Sequence, residues 1–253
     1  MLHSLVKDLY LDHRRRLVVW LAVAVGWLIL SAVVYPQLAG SAWVLAVADA
    51  FSVQAKFPLA FWVVAAAAIG LPLITSLYAI WEGSNLFAGK QVRTGMYLLL
   101  AYPLSRWVVF LSRLVYLFLT IAALSWVMTL GMALAANLAA AISVGNMLSI
   151  QPGINLFAFL AGSLVILIAT LNGSLWKTRL IGLLVLLAFY APYLIQAALG
   201  IEFPLLVLSP LYLALGDLPL LLATPVWKTI LLLGLVLVVI GIASLRFERM
   251  DLE

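Results

Sequence analysis

Long apolar stretches alternate along the chain with short segments that hold nearly all of its charge. Runs of about 20 apolar residues, enough to cross the hydrocarbon of a bilayer as a helix, extend approximately from Leu17 to Val34, Leu59 to Trp81, Trp107 to Leu134, Leu156 to Leu175, Leu180 to Leu199 and Val226 to Leu245. Lipid offers no partner to a bare peptide group, so each run is expected to be helical. Before the first run, Leu2, Leu5, Val6 and Leu9 recur at helical spacing, with Lys7, Asp8 and Asp12 on other faces. This pattern predicts a short amphipathic helix over residues 1–16, lying along the membrane surface as an anchor or a partner contact.

The expected fold is therefore all-α, with six transmembrane helices in a single domain over residues 1–253 and an N-terminal amphipathic interfacial helix. Two connections stand out. Residues 200–225 crowd Phe203, Leu205, Leu206, Val207, Leu208 and Leu211 around Pro204, Ser209 and Pro210. That is too apolar for a hydrated loop and reads as a re-entrant or interfacial segment. The stretch from Leu138 to Asn155 carries no charge and contains Pro152 and Gly153, which suits a connection at the outer face.

Composition agrees with the pattern: 67% of the residues are hydrophobic and 9% charged, against roughly 25% charged in soluble domains. The absence of cysteine removes disulfides, thiolate metal sites and cysteine nucleophiles. A formal charge of +5 could suggest nucleic acid, but the basic residues stand at the ends of apolar runs and form no aromatic-interleaved patch, so no nucleic-acid partner is expected. Their distribution is topological. Lys7, Arg14, Arg15, Arg16, Lys90, Arg93, Arg106, Arg113, Lys177, Arg179, Arg246 and Arg249 fall on one side of the six-span scheme, and only Lys56 and Lys228 on the other. The positive-inside rule then makes both termini cytoplasmic in a multi-pass protein of the cell membrane. Arg14–Arg16 ahead of an apolar run resemble a signal peptide, but the run is longer than a usual signal core and further spans follow.

Candidate chemistry is sparse. Carriers driven by ion gradients need ionisable groups along the path, yet the spans offer only Glu82, at a helix end, and Arg113, close enough to the cytoplasmic boundary to snorkel. His3 and His13 are the only histidines and both precede the first span. No buried Ser–His pair, metal-binding His-Glu-x-x-His helix or aspartyl dyad can be assembled, so the chain is expected to be no enzyme by itself and to hold no metal or cofactor. The segment from Gly83 to Gln91 resembles a phosphate-binding loop, but it has five residues between its glycines and Gln91 after Lys90. The motif requires four, then Ser or Thr, so nucleotide binding is rejected. Gly131, Ala135 and Ala139, and the shorter pair Ala158 and Gly162, would let helices approach closely. Ser76, Thr120, Ser125, Thr129 and Asn172 could line a path for an amphiphile, although such residues more often bond a neighbouring helix or their own backbone.

The segment Gly89-Lys90-Gln91-Val92-Arg93-Thr94-Gly95, followed by a Leu-rich turn and Pro103-Leu104-Ser105-Arg106, resembles the ABC-2 type permease family. So do Tyr35-Pro36 after the first span, Ser209-Pro210 in the outer connection and Phe247-Glu248-Arg249-Met250-Asp251-Leu252 at the C-terminus. The chain departs from the family pattern in having Gln91 and Val92 where acidic residues are usual, and Thr94-Gly95 in reversed order.

The resemblance implies two paired permease subunits, identical or homologous, above two cytoplasmic ATPase subunits that hydrolyse the ATP. It also implies a short cytoplasmic coupling helix between spans 2 and 3, within residues 82–106, a region too small to be an ATPase itself. Lys90, Gln91, Arg93, Thr94, Gly95 and Arg106 would form the contact, since closure of an ATPase can move membrane helices only through a stiff element wedged against it. The alternative for these cations is to enforce topology and meet anionic lipid. An apolar outer connection and few polar lining residues suit a lipid, drug or amphiphilic peptide as substrate, and the resemblance implies that it is moved outward. A stand-alone carrier or channel, or a non-transporting membrane scaffold, are the rival readings.

Overall fold

Strong hydropathy sustained over runs of about twenty residues produces long helices, two of which continue through an internal proline. The computed structural model describes residues 2–38, 70–89, 105–139, 144–199, 209–215 and 225–249. Among these there are seven helices and no strand: α1 (Leu2–Leu38), α2 (Leu71–Phe87), α3 (Arg106–Ala139), α4 (Val144–Asn172), α5 (Leu175–Leu199), α6 (Pro210–Leu215) and α7 (Val226–Glu248). Four stretches within them are long and apolar enough to cross a bilayer: Arg106–Met132, Leu148–Asn172, Leu175–Pro192 and Val226–Glu248. This is the architecture of an all-helical membrane protein.

The amphipathic segment expected over residues 1–16 is not a separate helix. It runs without a break into the first apolar run as α1, because no proline or glycine stands between Leu2 and Val25 to stop it. Its apolar stripe serves protein packing: Val6, Leu9, Leu17, Trp20 and Leu21 lie against the core and Ala24 is fully buried, largely opposite α3. The other face, with Val18, Val19, Val23, Ile29 and Leu30, is exposed.

The expected outer connection from Leu138 to Asn155 is also shorter than the sequence suggested. α4 begins at Val144 and passes through Pro152. Proline removes one backbone hydrogen bond, and packing against neighbours offsets that loss. α4 is the centre of the bundle, in contact with α2, α3, α5, α6 and α7. Accordingly, 61% of its spanning window is buried against 22% for α5, which lies at the periphery.

Small residues permit the closest crossings. A Cβ on Gly162 of α4 would stand 3.1 Å from Leu117 Cδ2 and 3.3 Å from Ala79 Cβ, and one on Gly83 of α2 would stand 3.4 Å from the Gly162 carbonyl. Gly83, the first glycine of the rejected phosphate-loop likeness, is thus a packing position inside a helix. Gly131 brings α3 against Leu28 of α1, where a Cβ would meet Leu28 Cδ1 at 3.0 Å. The side chains of Ala135 and Ala139 lie outside the described residues.

The expected re-entrant segment contributes α6, five of whose six residues are buried. Pro210 opens this helix, a position where its missing N–H costs nothing. Ser209 Oγ donates to the Phe189 carbonyl at 3.0 Å, in the turn of α5 that precedes Pro192. On the opposite side of α6, the Ala214 carbonyl presses on Gly153 of α4. Residues 200–208 and 216–224 of this connection lie outside the described residues.

Candidate functional site

The C-terminal end of α2 has four carbonyls without helical partners, and this end of the bundle also receives most of the described cations. Arg113 of α3 donates to the Leu86 carbonyl and lies 5.8 Å over the Phe87 ring. The snorkelling expected from the sequence is therefore not what the structure has. Arg113 turns inward and is buried, because the terminal carbonyls of α2 supply an acceptor within reach. The backbone then closes the end: Gly89, at φ +98°, donates its N–H to the Gly173 carbonyl at 3.1 Å, and Gly173 itself ends α4 at φ +63°. Phe87, Phe110 and Phe247 pack together there in edge-on and tilted contacts, with ring centroids 5.4–6.0 Å apart, and join the ends of α2, α3 and α7.

One turn earlier on α2 sits Glu82, fully buried. His13 Nδ1 of α1 meets its Oε1, Arg16 Nη1 of α1 lies 3.9 Å from its Oε2, and Asn85 Nδ2 donates to Oε2 at 3.4 Å. Tyr116 of α3 holds the His13 ring edge-on at 5.7 Å. Arg179 of α5 completes the cluster. Its Nε donates to Ser84 Oγ at 3.1 Å, its Nη2 to Asn85 Oδ1 at 2.8 Å, and its guanidinium lies 3.8 Å over the Trp81 ring. One carboxyl group thus ties α1 to α2, and the polar side chains beside it tie α2 to α5. A cluster of this kind fixes the relative positions of helix ends and carries any displacement of one to the others.

Of the six residues that the resemblance singled out, Lys90, Gln91, Arg93, Thr94 and Gly95 lie outside the described residues. Arg106 lies within them, at the same end of the bundle as the Glu82 cluster. It opens α3, and its Nη1 donates to the Glu248 carbonyl of α7 at 2.9 Å. Ser105 immediately before it accepts the Val108 N–H on both its carbonyl and its Oγ, at 3.0 and 3.4 Å, and so caps the helix.

Sequence reasoning missed the pairing of His13 with Glu82, which are 69 residues apart. A signal was present. Glu82 is the only acidic residue between Asp49 and Glu202, and one of the two histidines precedes the first span by a few residues.

Three of the five residues considered as a substrate lining, Thr120, Ser125 and Thr129, are bonded between or within helices. Ser125 Oγ donates to Asn155 Oδ1, Thr129 Oγ1 donates to Gln151 Oε1, and Gln151 Nε2 donates to Ser125 Oγ at 2.5 Å, joining α3 to α4. Thr120 bonds the carbonyls of Tyr116 and Leu117 on its own helix. Ser76 is buried with no partner for its Oγ among the described residues, and Asn172 is exposed. Replacing Gln151 by Leu is expected to lower stability by about 1 kcal/mol, the scale of interhelical hydrogen bonds in membranes. Thermal unfolding in detergent measures this, and an unchanged midpoint would mean that the layer contributes nothing.

Compared with known proteins, the sequence matches no protein-family model, and no curated protein is significantly similar to it.

Proposed function

We propose that the chain crosses the membrane six times, with α1 and α2 adding to the four long apolar helices, and that both termini are cytoplasmic in the cell membrane. On this reading it is the permease subunit of an ATP-binding-cassette transporter and exports a lipid, drug or amphiphilic peptide. Two cytoplasmic ATPase subunits and a second permease, identical or homologous, complete the assembly. The chain itself hydrolyses nothing.

What supports this reading is the contact between Arg106 and the Glu248 carbonyl. It joins two of the short motifs that carry the ABC-2 resemblance, Pro103-Leu104-Ser105-Arg106 and the Phe247-Glu248 stretch, at one end of the bundle. The same end holds the Glu82 cluster, so a push on the segment between α2 and α3 would reach α1, α5 and α7 through bonded side chains rather than through lipid-facing surface.

The test is purification of the tagged chain from its native cells in mild detergent, with identification of co-purifying proteins and an ATPase assay. The expected result is a stoichiometric ATPase that Arg93→Glu with Arg106→Glu removes. Recovery without any ATPase from native lipid overturns the permease reading. A second reading, a stand-alone carrier, is favoured by one observation: Glu82 is an ionisable group fully buried in contact with a histidine. Proton- or ion-driven uptake into vesicles holding only the purified chain would support that reading.

A further inference from the structure

A groove of about 500 Å³ runs over α2 between α1 and α5, beside the Glu82 cluster. Two cations stand on its rim. Arg16 is half exposed and reaches the buried carboxyl only at 3.9 Å. Arg179 donates hydrogen bonds to the neutral side chains of Ser84 and Asn85. One carboxyl, fully buried beneath, faces two guanidinium groups, so the rim is positive. The indoles of Trp81 and Trp176 also border the groove, and Trp176 is 75% exposed. From that level the walls become wholly apolar toward Val23 on α1 and Leu183 on α5. Arg16 to Val23 spans seven residues of helix, about 10 Å of rise.

This order, guanidinium groups and indoles at one end and an apolar channel leading away from them, is that of a membrane interface and the acyl region below it. Arginine forks match phosphate oxygens, and a positive rim repels the quaternary ammonium of a zwitterionic headgroup. We propose that the groove is a binding site for an anionic phospholipid, with its phosphate held by Arg16 and Arg179 and one acyl chain lying between Val23 and Leu183. The proposal needs only that the bundle is embedded in a membrane, and it stands or falls separately from the ATP-driven reading. A bound lipid here would bridge α1 and α5 over the same side chains that surround Glu82, so its presence would stiffen that end of the bundle.

The test uses the full chain in detergent, titrated with phosphatidylglycerol or phosphatidylcholine, with bound lipids counted by native mass spectrometry. The expected result is one retained phosphatidylglycerol held about thirtyfold more tightly than phosphatidylcholine, from about 1 kcal/mol for each of two cations. Arg16→Gln should weaken its retention about fivefold, and Arg16→Gln with Arg179→Gln should remove the preference. Val23→Trp, which fills the channel and leaves both cations in place, guards against a folding defect in the arginine variants and should also expel the lipid. Equal retention of the two lipids, or phosphatidylglycerol retained unchanged in Val23→Trp, overturns the proposal. So does a Val23→Trp chain that loses a dimer while its lipid count stays constant, because the groove would then be an interface between two copies.

Discussion

Glu82→Ala is expected to destabilise the folded chain by about 3 kcal/mol, the scale for removing one partner from a buried, hydrogen-bonded polar pair that includes an acid. The change deletes the group that His13, Arg16 and Asn85 all approach. It also leaves a cavity in a fully buried position, which adds to the loss. Arg16 can turn to water because it is half exposed, so His13 and Asn85 carry most of the penalty. Two comparisons separate the chemistry from the volume. Glu82→Gln keeps the shape and should cost less than the alanine exchange. His13→Leu combined with Glu82→Leu should be more stable than Glu82→Ala alone, since replacing a whole buried pair by apolar groups is often neutral. Thermal or denaturant unfolding in detergent provides all three values. A Glu82→Ala chain as stable as the wild type would mean that the cluster does not hold α1 to α2.

The second large effect is at Gly153. A methyl group there would collide with the Ala214 carbonyl of α6, which is backbone and has no rotamer by which to yield. Gly153→Ala should gain up to about 1 kcal/mol in helix propensity and lose more than that through overpacking, which costs about 1–3 kcal/mol in tightly packed cores. The net result is destabilisation and displacement of α6 from α4. Gly234→Ala is the control. Gly234 lies inside α7 with nothing among the described residues within 4 Å of its Cβ position, so only the propensity gain remains and the variant should be slightly more stable than the wild type. If the two alanine variants shift the unfolding midpoint in the same direction, the close approach of α6 to α4 is not as described.

These two sites also show how far the sequence could be read. The Pro152-Gly153 pair suits an outer connection by sequence, because a Pro-Gly pair without neighbouring charge looks the same there and in a helix under cover. Only the arrival of α6 distinguishes them. Glu82 was visible as an isolated acid at the end of an apolar run. Its partner could not be read, since it lies one helix and 69 residues away. Arg113 was placed at the correct end of its helix but with the wrong direction, because snorkelling and capping a neighbour's carbonyls differ only in where that neighbour stands.

The sequence by itself determined that the chain is helical, that it belongs in a membrane and where most of its long helices run. Hydropathy over some twenty residues is a local sum, and in lipid the backbone leaves few alternatives to a helix. The start of α4 depended on what covers it, and the tertiary structure decided it. It also decided which small residues mark close crossings, with Ala79, Gly83 and Gly162 bringing α2 and α4 together. Finally, it decided that the polar residues of the basic end converge on one buried carboxyl group. Such pairings are made between segments distant in the chain, and a polar side chain buried in an apolar bundle has a definite role only when the helix bearing its partner has packed against it.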